Sequence, residues 1–175
     1  MKAFHCLVGL RQPLTRVAPA IRDRLPEIAP ALDDVEIIRA VARVEQPCGG
    51  VKLVNEWRVN PKLPAALNGH ITPDMLGWLD HADWSADLTH CRWRIEPYFM
   101  AEAISCEGET RFEPAMGGRG TRATFEGRLD IDASALMRVP AAWRRPAAAA
   151  IELLIGTLIP KNFRNTADAA AGLLD

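Results

Sequence analysis

The sequence predicts an α+β fold: one curved antiparallel sheet of about seven strands wrapped on a long C-terminal helix, with two short helices after the first strand. Three observations predict it. Residues 119–132, RGTRATFEGRLDID, alternate, with Thr121, Ala123, Phe125, Leu129 and Ile131 on one face and Arg122, Glu126, Arg128, Asp130 and Asp132 on the other. That is the period of a strand half-buried in an antiparallel sheet. Several further runs between residues 35 and 115 have strand character and are separated by turn residues. Ile151, Leu154, Ile155, Leu158 and Ile159 then form one apolar stripe at helical spacing. A curved sheet must cover its concave face, and the terminal helix is the only element long enough to do so.

Each element follows in order. Residues 2–10, KAFHCLVGL, read as the first strand, with His5 opposite the apolar face of Phe4, Cys6 and Val8. A helix follows: Pro13 suits its first turn, and Val17, Ile21 and Leu25 recur every four residues. Pro26 and Pro30 cut PEIAPAL into a short helix or turn. DDVEIIRAVARVEQ and VKLVNEWRVN are strands joined by the turn PCGG, a hairpin with Leu53, Asn55, Trp57 and Val59 on one side. Residues 61–74 are punctuated by Pro and Gly and are expected to be irregular or briefly helical.

Four more strands follow, in MLGWLDHADWS, LTHCRWRIEP, MAEAISCEGETRFEP and RGTRATFEGRLDI. Cys91, Trp93 and Ile95 oppose His90, Arg92, Arg94 and Glu96. Ile104, Cys106, Thr110 and Phe112 oppose Glu107, Glu109, Arg111 and Glu113. MGGRG is a tight connection in which Gly117, Gly118 and Gly120 are free to take positive φ. In the terminal helix Pro160 is expected to kink or end the element, with Phe163 and Ala167 continuing the same face beyond it. Trp143, near the helix start, is expected to pack on a neighbouring strand.

The 175 residues are expected to form a single domain, residues 1–175. At 49% hydrophobic and 25% charged the chain holds enough apolar material for one core. A net charge of −1 leaves no basic excess for nucleic acid or an anionic membrane surface. Cys6, Cys48, Cys91 and Cys106 form no CxxC pair or zinc spacing, so the expectation is a reduced, cytoplasmic protein. The opening residues are too polar and short for a signal peptide, and no apolar run reaches transmembrane length. No pattern calls for a cofactor.

The order strand, helix pair, six antiparallel strands and terminal helix resembles the helix-grip fold of the SRPBCC superfamily, which includes polyketide cyclases and lipid-transfer-related domains. The stretches that carry the resemblance are GETRFEPAMGGRGTRATFEGRLDID and LIGTLIPKNFRNTADAAAGL. The resemblance spans nearly the whole chain and rests on pattern and order rather than on invariant catalytic residues. It implies that the inner face of the sheet, Phe125 and Thr121 included, lines a deep and mostly apolar pocket under the terminal helix. Residues 61–74 are richer in Pro and Gly than the family's simple link and could form a lid or a loop.

On that reading the ligand-binding set is Leu53, Asn55, Trp57, Cys91, Trp93, Ile95, Cys106, Thr110, Phe112, Thr121, Ala123 and Phe125 from the sheet. Ile151, Leu154, Ile155 and Leu158 complete it from the helix. Asn55, Thr110 and Thr121 could orient a bound hydroxyl or carbonyl, or could satisfy backbone groups. The tryptophans could wall a flat ligand or fill a core. The run LDHADWSADLTH brings His81 and Asp83 onto one strand face and Asp80 onto the other. It has no second ligand motif, so a solvated outer face is expected rather than a metal site. His81, Asp83 and His70 are the available catalytic candidates. Three functions stay open: a binder of a lipid, polyketide or aromatic metabolite; a cyclase or dehydratase using the same pocket; and a protein-interaction module. A homodimer is compatible with all three.

Overall fold

The computed structural model describes residues 1–60, 72, 75–137 and 139–174, with Leu154 described by its backbone alone. Seven strands run in chain order: β1 Lys2–Leu10, β2 Val35–Glu45, β3 Val51–Val59, β4 Gly77–Trp84, β5 His90–Pro97, β6 Ile104–Ala115 and β7 Gly120–Ile131. Helices α1 (Leu14–Asp23) and α2 (Leu25–Ile28) lie between β1 and β2, and α3 (Arg144–Gly172) closes the chain. The sheet order is β1-β7-β6-β5-β4-β3-β2, with each neighbouring pair antiparallel. Consecutive strands from β2 to β7 thus pair in turn, and β1 joins the far edge beside β7. The α+β fold with a long C-terminal helix is the one the alternation and the terminal stripe predict.

Local chemistry explains the elements. β1 buries Phe4, Cys6, Val8 and Leu10 and leaves the residues between them more open, the period-2 pattern of a one-sided strand. Between β6 and β7 the chain reverses through Gly117 (φ 65) and Gly118 (φ 85), left-handed conformations that glycine adopts without a Cβ clash. Gly120 instead opens β7 without a positive φ.

Two expectations are corrected. Helix α3 does not end at Pro160 but continues to Gly172. The proline removes one helical hydrogen bond, but Ile159 and Phe163 on either side of it pack against the main core and hold the adjoining turns. Trp143 precedes α3 at its N-cap position without a side-chain capping bond and is 66% exposed, where it was expected to pack on a strand.

The main core joins the inner faces of β1, β3–β7 and α1 with the last turns of α3. Ala167, Ala170 and Ala171 are buried there with Val17 and Ala18 of α1, and their small side chains let the two helices approach closely. A second cluster, Leu25, Ile28, Leu32, Ile38 and Trp57, plugs the β2–β3 end of the sheet with α2. The convex face carries a lattice of cross-strand polar pairs, among them the hydrogen bonds His81–Glu96 at 2.9 Å and His90–Glu109 at 3.0 Å and the ion pair Arg122–Glu113 at 3.0 Å. Such exposed pairs contribute little to stability individually.

Thr121 illustrates a tether rather than a site. It is 0% exposed, and its hydroxyl donates to the Gln12 carbonyl at 2.8 Å, tying β7 to the entry of α1. Thr121→Val keeps the shape and removes the bond. Urea denaturation is expected to show a loss of about 1 kcal/mol; an unchanged midpoint would mean that water replaces the bond at no cost.

Candidate functional site

Between the concave face of the sheet and α3 lies a cavity of about 230 Å³. It arises because the inner-face positions of the central strands carry large rings that stack instead of collapsing. Trp57 of β3 stacks on Trp78 of β4, its partner in register, with centroids 5.6 Å apart. Trp84 stacks on Phe112 at 5.5 Å. Trp93, Phe125 and Phe163 make a continuous column at 4.6 and 4.3 Å, which links β5, β7 and α3. Every one of these rings borders the cavity, and Ile155, Leu158 and Ile159 close it from the helix side. Rings in offset stacks resist rearrangement, so the walls are firm.

Few polar groups reach this space. Asp80 and Asn55 face each other across the β3–β4 register. Asp80 keeps some accessible surface, but the space it borders is the cavity, and protein atoms enclose it otherwise. Burial pushes its carboxyl up to about 6; the Asn55 amide and, more weakly, the His81 charge act in the opposite sense. Asn55 is only 3% exposed, and its side-chain amide is turned to the Asp80 carboxyl. Trp57 Nε1 and Trp93 Nε1 are buried without a partner.

Thr110, Asn162, Thr166 and Asp34 also border the cavity, and Asp34 pairs with Lys161 at 3.4 Å. Cys91 and Cys106 line it too. Burial raises both thiols, Cys106 to about 12, and the nearby Asp80 charge adds to the effect at Cys91. Neither thiol is a nucleophile in the neutral range.

The structure sorts the residues singled out from sequence. Asn55, Trp57, Cys91, Trp93, Ile95 and Cys106 border the cavity. So do Thr110, Phe112, Phe125, Ile155 and Leu158. Leu53 and Ala123 are buried in the main core without bordering it, and Thr121 is committed to Gln12. Ile151, on a half-buried turn of α3, does not border it either. The side chain of Leu154 and the whole of His70 lie outside the described residues, as do residues 61–71, 73 and 74 of the expected lid.

The catalytic candidates on β4 need correction. His81 and Asp83 sit on the convex face, His81 against Glu96 and Asp83 accepting from Gln46 Nε2 at 2.8 Å. The strand period puts Trp78, Asp80, Ala82 and Trp84 on the other face, inside. Asp80 is therefore the titratable group that sequence reasoning passed over. Its signal was present: it shares its parity with two tryptophans and an alanine, whereas His81 and Asp83 do not.

No known family profile matches the sequence, and no curated protein matches it. Solved structures do. The protein TTHA0849 of Thermus thermophilus superposes with a TM-score of 0.65 at 18% identity, over 98% of this chain and 95% of that one. The Zhui aromatase/cyclase of Streptomyces sp. R1128 gives 0.64 at 16% identity, over 98% and 92%. Norcoclaurine synthase of Thalictrum flavum, solved in complex with dopamine and hydroxybenzaldehyde, gives 0.61 at 10% identity, over 99% and 86%. At these identities the likeness establishes the fold: the chain has the helix-grip architecture that its sequence resemblance implied.

Proposed function

We propose that this helix-grip chain binds one small, flat, mainly apolar molecule in the cavity between its sheet and α3. The observation that carries the reading is a wall of four tryptophans and three phenylalanines around about 230 Å³ of free space. Apolar walls around such a space gain dispersion contacts when a flat apolar molecule replaces water against them. Flat rings suit stacked aromatic walls, so an aromatic metabolite or polyketide fits better than a flexible acyl chain. The small aromatic molecules held by norcoclaurine synthase support the same size class.

A second reading has one observation in its favour. Asp80 is a titratable carboxyl inside the cavity with a pKa of about 6, suited to moving a proton in a cyclisation or dehydration. The two readings share the site, and the first is needed for the second.

Native mass spectrometry of the protein purified from its own host, followed by solvent extraction, tests occupancy directly. A stoichiometric apolar adduct is the expected result. For a defined probe, 2-(2-naphthyl)ethanol is expected to bind in a one-to-one complex by calorimetry. Ile155→Trp enlarges a side chain on the helix wall and is expected to weaken that probe at least roughly tenfold while the thermal midpoint holds. Wild-type affinity in this variant would place the probe elsewhere and count against the cavity.

A further inference from the structure

We infer that the molecule held in this cavity is a cation, a flat aromatic body carrying a protonated amine whose ammonium pairs with the Asp80 carboxylate. The inference rests on the cavity reading above and names its ligand class. It begins with the charges on the wall. Two carboxylates border the cavity, Asp34 and Asp80, and no Lys, Arg or His does so among the described residues. Asp34 is already answered by Lys161 at 3.4 Å. Among the described residues Asp80 has no such answer: its neighbours are the neutral Asn55 amide, which hydrogen-bonds to it, and, on the opposite face of its own strand, His81, which is turned towards Glu96.

An ionised carboxylate surrounded by indoles is costly unless a positive charge reaches it. An asparagine or leucine would cost the fold less at that position. The surroundings of Asp80 favour a cation for a second reason. Trp57, Trp78, Trp84 and Trp93 all border the same space, and an electron-rich aromatic lining suits an ammonium group better than an anion. The same two features repel a carboxylate or phenolate, so the cavity selects by sign as well as by shape.

Calorimetry on the full chain at pH 7.5 with three compounds of one shape tests the inference: 2-(2-naphthyl)ethylamine, 2-(2-naphthyl)ethanol and 2-naphthylacetate. The amine is expected to bind at least roughly tenfold more tightly than the alcohol, and the carboxylate more weakly than the alcohol. In Asp80→Asn the ratio of amine to alcohol affinity is expected to fall to within about threefold of unity, and in Asp80→Glu, which keeps the charge, the preference remains. Circular dichroism checks that both variants fold. Equal binding of amine and alcohol, or tighter binding of the carboxylate, overturns the cation inference and leaves the cavity reading standing. A preference that survives Asp80→Asn overturns Asp80 as its source. Failure of all three compounds to bind removes the cavity reading and this inference with it.

Discussion

Asp80→Asn is expected to stabilise the ligand-free protein while removing the group on which selectivity depends. The sign follows from burial. The carboxyl titrates at about 6 in the folded chain against an ordinary value of 3.8. Above pH 6 it is ionised in both folded and unfolded states, and the full cost of its burial opposes folding. Between 6 and 3.8 the folded state holds a proton that the unfolded state does not, so this group's contribution improves as the pH falls. Below 3.8 the cost is gone.

About two pKa units at 1.36 kcal/mol each set an upper bound of about 3 kcal/mol at pH 7.5. For a chain of this size that corresponds to roughly 5–10 °C in the thermal midpoint. The measurement is the difference between variant and wild type, taken at pH 7.5 and again near pH 4. The gap should be large at the first and small at the second. Differences are needed because other carboxyls act in the opposite sense: hydrogen bonds from Ser85 and Thr89 hold Asp87 at about 2, and hydrogen bonds from His90 and Arg111 hold Glu109 down, so both lose stability as acid is added. A variant no more stable than wild type at pH 7.5 would show that Asp80 is well solvated, and the cavity's charge would lose its significance.

Gly108→Ala is expected to be the most damaging single substitution of a small residue in the sheet. Gly108 of β6 and Gly127 of β7 are register partners, and the Trp93 indole lies across both. A Cβ at 108 would stand 2.1 Å from the Glu126 carbonyl oxygen, 2.5 Å from Trp93 Cζ2 and 2.7 Å from the Gly127 Cα. Two of these are backbone atoms that no rotamer change can move. The sheet would have to open at the point where the Trp93–Phe125–Phe163 column is anchored. Overpacking of this kind costs about 1–3 kcal/mol where side chains can yield, and here the expected loss exceeds about 3 kcal/mol. Gly127→Ala meets mainly ring atoms of Trp93 and Phe4 and should cost less. Urea denaturation followed by tryptophan fluorescence reads both. A wild-type midpoint for Gly108→Ala would mean that the indole does not rest on that glycine pair.

The same glycines show where sequence reading stops. Strand periodicity made β6 and β7 visible, because alternation is a local property of each segment. The reason for glycine at 108 lies in a tryptophan on a different strand, and no pattern within β6 carries it. Thr121 is a similar case. Its inward parity was legible, but its partner is the carbonyl of Gln12, far away in the chain, and that bond takes the hydroxyl out of the cavity. Pro160 failed as a helix breaker for the same reason: propensity is local, whereas the contacts that hold the turns around it come from the sheet.

By itself the sequence determined the strands, the two short helices and the terminal helix, and with them the layered α+β arrangement. Hydrophobic period and turn chemistry are written residue by residue, and a one-sided sheet has few ways to cover itself. It also determined which residues share a face of each strand. Only the tertiary structure decided that a pocket lies under the concave face instead of a filled core, since both give the same alternation. It decided as well that the inward-facing acid of β4 is Asp80, while His81 and Asp83 look outward. Parity divides a strand into two faces, but which face is inside depends on the neighbouring strands and on the helix that covers them.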